Sequence, residues 1–152
     1  MPLEKSESYS SSSQIVPVFV TDVAVTEGDT SSYVVQLQGP GGAIIANTDF
    51  SAIELTYVDE ATRNVINGRN VQDVLGAGTG ANNVTLSPTA LLTWNLQPAD
   101  NVIVDSTGCT NIEFHRAIFK YTFDIGSGTE VATCEVRIAV KRGFKTQLES
   151  LN

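Results

Sequence analysis

Few side chains in this 152-residue chain can do chemistry. It holds one histidine, His115, and two cysteines, Cys109 and Cys134. Nucleophilic catalysis needs a nucleophile, a base and an orienting group in contact, so any Ser-His or Cys-His scheme must run through His115. No G-x-S-x-G elbow occurs. A nitrogen–sulfur metal site would have only His115, Cys109 and Cys134, with none of the close pair spacings that zinc sites use. Asp22, Glu27 and Asp29, or Asp59 with Glu60, could offer oxygens to calcium. They lack a D-x-D-x-D-G spacing and read as solvated turn residues. No carboxylate pair stands out for glycoside hydrolysis. GAGTGA, residues 76–81, lacks the Lys-Ser/Thr and the helix of a phosphate-cradling loop, and reads as a flexible loop. The expectation is a protein that is not an enzyme, with no cofactor and no metal.

The position of His115 supports this. Ala117, Phe119, Tyr121 and Phe123 recur at period two, with Arg116, Lys120, Thr122 and Asp124 on the opposite face. His115 is in phase with the aromatic set, at the outer end of a core face, where a hydrogen-bonded structural histidine is expected. Beyond a turn at Gly126-Ser127-Gly128, Ala132, Cys134, Val136, Ile138 and Val140 form the inward face of a return strand. Thr133, Glu135, Arg137 and Lys141 point outward. Counting back from the turn puts Cys134 near Lys120 rather than Cys109, so both thiols are expected free.

Stepping along the rest of the chain, β grammar prevails. IVPVFV reads as a strand confined to an edge by Pro17, which has no N–H to donate. YVVQLQ precedes a GPGG turn, and in AIELTYVDE residues Ile53, Leu55 and Tyr57 share one face. Residues 67–83 read as a long loop of the kind that serves function or an interface. NVTLSP and ALLTWNLQP follow as strands, with Leu92, Trp94 and Leu96 on one face and Trp94 in the core. Short strands, frequent turns and no long helix predict one all-β domain, an antiparallel β-sandwich over residues 15–142. Residues 1–14 form a Ser-rich arm that lacks apolar residues to pack alone. Residues 143–152 form a short tail in which Phe144, Leu148 and Leu151 fall at helical spacing.

The formal charge of −8 is unevenly spread. Residues 1–115 carry 3 basic and 13 acidic side chains; residues 116–152 carry 6 and 4. Opposite-signed halves suit self-association. There is no basic footprint to neutralise phosphates, so nucleic acid is not an expected partner. No apolar run reaches the roughly 18 residues of a membrane span. MPLEKSESYSSSSQ lacks the pattern of a secretion signal, which predicts a reducing cytoplasm and leaves the Asn83-Val84-Thr85 sequon idle.

Several segments taken in order carry a resemblance. They are VTDVAVTEGDTSSYVVQLQGPGGAII, FSAIELTYVDEATRNVING, VTLSPTALLTWNLQPAD, FHRAIFKYTFDIGSG and VRIAV. Over roughly residues 20–141 the chain resembles an immunoglobulin-like family of tailed bacteriophages, which includes the N-terminal domain of upper baseplate proteins. Its pattern has an acidic EGDT turn before a YVVQL-type strand, a W-x-L-x-P-x-D segment, and an aromatic strand ending in glycine. The longer 67–83 loop, the arm and the tail depart from it. The resemblance implies a non-enzymatic virion structural protein, assembled in the host cytoplasm, that binds neighbouring subunits in the tail, baseplate or neck. Capsid decoration on the head exterior is the alternative placement. Expected partners are other virion proteins and further copies of the chain, with no membrane. The interface is expected to draw on Tyr9, Pro17, Val71, Val74, Leu75, Phe144, Leu148 and Leu151. A carbohydrate-binding module is a further alternative; it needs exposed aromatics, with Tyr9, Tyr33, Phe50 and Tyr57 as candidates for a host glycan.

Overall fold

The computed structural model of the chain describes residues 18–20, 24–75, 83–105 and 111–143. Tyr9, Pro17, Cys109, Phe144, Leu148 and Leu151, with the arm and the tail, lie outside the described residues. Among the described residues there are nine strands: β1 (Val18–Val20), β2 (Val25–Thr26), β3 (Ser31–Gln36), β4 (Phe50–Asp59), β5 (Gln72–Asp73), β6 (Val84–Leu86), β7 (Leu91–Leu96), β8 (Ile112–Phe123) and β9 (Glu130–Lys141). One sheet has the order β1-β9-β8-β4-β5, with β2 also paired to β9; the other has the order β3-β7-β6. The protein is an all-β sandwich.

Alternation decides which face of each strand is buried. Ile53, Leu55 and Tyr57 of β4 point inward, as do Ala117, Phe119, Tyr121 and Phe123 of β8 and Cys134, Val136, Ile138 and Val140 of β9. Leu92, Trp94 and Leu96 of β7 meet them from the smaller sheet. Because side chains alternate at period two, the inward set of each strand also fixes which residues face outward. Trp94 lies at the centre, edge-on to Tyr57 (centroids 5.0 Å apart) and to Phe119 (5.9 Å). These T-shaped contacts add to the burial of three large rings.

The expected hairpin is present, with β8 and β9 antiparallel along their full lengths. Cys134 pairs with Phe119, one residue from the expected neighbour, and its thiol is free and buried. Burial, and then the nearby Glu135 carboxylate, push that thiol up to about 11.

Two expectations need correction. The sandwich is not antiparallel throughout, because β1 and β2 both run parallel to β9. The first strands of the domain lie beside its last one, a pairing that local alternation does not encode. The stretch 67–83 is not one uninterrupted loop either. Gln72 and Asp73 pair with Leu55 and Glu54 as an edge strand, and Ile66, Arg69 and Val74 are buried around it.

Candidate functional site

Three buried side chains meet at one end of the larger sheet. Asp59, the last residue of β4, pairs across the ladder with His115 of β8. Glu113 lies two residues before His115 on the same strand, so alternation places both on one face. Their side chains keep 4 % (Asp59), 0 % (His115) and 9 % (Glu113) of their exposure. His115 Nε2 stands 3.1 Å from Glu113 Oε1 and 3.9 Å from Asp59 Oδ1.

Each member is oriented by a further bond. Asp59 Oδ2 accepts from the backbone N–H of Thr62 at 2.8 Å and from its hydroxyl at 2.7 Å. This Asx-type turn is local chemistry of the segment that follows β4. The Glu113 carboxylate accepts from the backbone N–H groups of Val104 (2.8 Å) and Asp105 (2.7 Å). The 103–105 segment is thereby tied to β8. His115 Nδ1 is 3.2 Å from the Tyr57 hydroxyl, and the two rings meet edge to face at 5.6 Å.

Burial, followed by the negative charge of Asp100, raises the Tyr57 hydroxyl well above the usual tyrosine range. The hydroxyl and Nδ1 share one hydrogen bond, and Nε2 faces the Glu113 carboxylate. His115 is thus the hydrogen-bonded structural histidine that its strand position predicts. It is also the centre of an oxygen–nitrogen cluster that spacing along the chain does not display.

The cluster borders an open cleft of about 270 Å³, lined also by Glu60, Thr62, Asp105, Ile112 and Phe114. Asp59, Glu113 and His115 each offer one ligand atom, and these atoms lie within 4.8 Å of one another. Among the described residues no thiol takes part. A sequence signal for the trio did exist: Glu113 and His115 at i, i+2 share a strand face, and Asp59 ends a strand at a D-x-x-T turn. What was missing was the β4–β8 register.

A second buried polar group links the two sheets. Asp100, fully buried just after β7, accepts from Arg69 Nε and, at 2.9 Å, from Arg69 Nη2. It also accepts from Asn67 Nδ2 (2.9 Å) and from the backbone N–H of Gln97 (2.8 Å). The Arg69 guanidinium lies over Trp94, 5.5 Å from the ring centroid. This ion pair is scaffolding, since its geometry leaves no free acceptor toward solvent.

The outward faces of the two sheets differ. On the larger sheet Arg116 bridges Glu60 and Glu135 at 2.8 and 2.7 Å, and Arg137 meets Glu60 at 2.8 Å. Hydrogen bonds from Arg137, then from Arg116, lower the Glu60 carboxyl to about 2. Two of the basic residues expected to give the C-terminal part its positive field are therefore paired within the chain. The smaller sheet carries no charge on any strand: SSYVVQ, VTL and LLTWNL. Val34 and Leu91 are exposed on it at 54 % and 42 %.

The expected interface residues separate. Val71 is exposed at 58 %, in left-handed backbone at φ 49°. Val74 is buried, and its N–H donates to the carbonyl of Ile53, so it cannot face a partner. Leu75 packs against the core. The reason for both is β5, which docks this segment on β4 and turns the residues after it inward. Of the candidate glycan platforms, Tyr57 and Phe50 are buried and Tyr33 packs against the core.

Comparison with protein-family models, with curated proteins and with solved structures finds no match to this chain. Among the described residues no helix is long and apolar enough to cross a membrane.

Proposed function

We propose that the chain is an assembly module, a non-enzymatic structural protein of a tailed-phage virion that binds further copies of itself and its neighbours in the tail, baseplate or neck. The observation that carries this reading is the uncharged small sheet. In a chain that is 17 % charged, its three strands have no Asp, Glu, Lys or Arg. Free sheet edges in monomeric proteins are guarded by lysine, proline or bulges. Among the described strands β3, six residues long, lies at the edge of its sheet and has none of these.

An unguarded edge beside an uncharged face suits strand addition, in which main-chain bonds supply affinity. A second copy offers the same edge, so two β3 strands can pair antiparallel about a two-fold axis. Exposed Val71 extends the surface available to neighbours.

The strand order adds support. The β9-β8-β4 ladder faces β3-β7-β6, an order compatible with the G-F-C and B-E-D strands of the immunoglobulin-like sandwich that the resemblance to the phage family implies. Head decoration is the second placement for the same kind of surface.

The test is the absolute mass of the purified chain by light scattering across a concentration series, beside the variant Val34→Lys. The expected result is a mass above the 16.2 kDa monomer that rises with concentration and falls to monomer in the variant. A strict monomer at millimolar concentration would overturn self-assembly through this sheet.

A further inference from the structure

We infer that Asp59, Glu113 and His115 form a binding site for a first-row divalent cation, zinc foremost, that clamps one end of the sandwich. The inference does not depend on the assembly reading. Two carboxylate oxygens and one imidazole nitrogen are a donor set that zinc accepts. In a tetrahedral zinc site with metal–ligand distances of about 2.0–2.2 Å, the donors stand about 3.3 Å apart. Here His115 Nε2 is 3.1 Å from Glu113 Oε1 and 3.9 Å from Asp59 Oδ1. All three donor atoms lie within 4.8 Å of one another, so closing on an ion would draw them together by up to about 1.5 Å.

A second observation points to a ligand. Asp59 is buried, and both bonds from Thr62 go to Oδ2. Oδ1 accepts no hydrogen bond, since His115 Nε2 at 3.9 Å is beyond bonding distance. This oxygen, on a side chain that is 4 % exposed and lines the cleft, is left free beside the two other donors, and a cation between the three would give it a partner.

The surrounding bonds are those of a metal site. Ligand side chains are usually held by outer partners that fix their direction. Thr62 holds Asp59, the Val104 and Asp105 amides hold Glu113, and the Tyr57 hydroxyl holds His115 Nδ1. A bound cation would take the Nε2 lone pair, with the ring proton on Nδ1 and the Tyr57 oxygen as its acceptor, and the two carboxylates would balance a dication. The cleft provides the path from solvent and room for water as a fourth ligand. The donors come from the ends of β4 and β8, and Glu113 is bonded to the 103–105 segment, so the ion joins three parts of the chain.

Isothermal titration calorimetry with zinc chloride, on metal-stripped protein carrying Cys109→Ser to remove a competing thiol, tests the site. The expected result is one ion per chain, with manganese weaker and magnesium weaker still, and a melting temperature that rises with zinc concentration. Thr62→Ala, at an exposed position, removes one outer bond and is expected to weaken zinc binding by about 10–100-fold. Asp59→Asn, checked for folding by circular dichroism, is expected to lose it. If the folded protein takes up no zinc at millimolar concentration, or if affinity is unchanged in both variants, the inference is wrong.

Discussion

Replacing Asp100 by Asn tests what holds the two sheets in register. The Asp100 carboxylate takes four hydrogen bonds with no exposure to solvent, two from Arg69, one from Asn67 and one from the Gln97 amide. Asn keeps the shape but only one acceptor oxygen. Its NH₂ group then faces donors, and Arg69, itself buried, loses its counter-charge. Breaking one side of a buried ion pair costs about 3–5 kcal/mol, because an uncompensated charge is left behind. Against a typical total stability of about 5–15 kcal/mol, that is a large share. The assay is urea unfolding followed by fluorescence of Trp94, the only tryptophan, which lies buried under the Arg69 guanidinium. The midpoint is expected to fall by the equivalent of at least 3 kcal/mol, roughly the lower end of that range. The paired variant Arg69→Met with Asp100→Leu is expected to recover most of the loss, since an apolar pair leaves no charge unpaired. A loss below about 1 kcal/mol in Asp100→Asn, the range of an exposed pair, would refute the argument that this pair is a desolvated tie between the sheets.

Two further predictions concern the surface. Glu60 is held at about 2 in the folded state against an ordinary 4.5, so its contribution is complete above pH 4.5 and is lost as pH falls toward 2. Glu60→Gln is therefore expected to flatten the acid limb of stability between pH 5 and 2, by about 1 kcal/mol once solvent screening of this partly exposed group is allowed for; denaturation series at each pH would show it. Val71 is a β-branched residue at φ 49°, a backbone region that costs such a side chain about 1–2 kcal/mol. Val71→Asn is expected to raise stability by about 1 kcal/mol in thermal unfolding, and a decrease would mean that the valine makes a compensating contact.

The sequence by itself determined the fold class and most of the core. Period-two alternation in β4, β7, β8 and β9 assigns Tyr57, Trp94, Phe119 and Cys134 to the interior, because a pleated strand has only two faces and an apolar set occupies the dry one. The hairpin from Ile112 to Lys141 was legible for the same reason, its two patterned runs being separated by a glycine turn. The character of His115 as a residue on a core face could also be read from its phase.

Only the tertiary structure decided which residues meet across strands. Asp59 and His115 are 56 positions apart along the chain, and it is the antiparallel register of β4 on β8 that makes them neighbours. Arg69 and Asp100 pair because a buried charge must find its counter-charge wherever the fold brings one, and no local pattern records that. Val74 reads as one more apolar residue in a loop; the two-residue strand beside it turns it inward. The parallel placement of β1 and β2 on β9 joins the first and last strands of the domain. Alternation specifies the face of a strand and leaves its partner open, so pairing, and with it every cluster built by pairing, is settled by the three-dimensional packing of the whole chain.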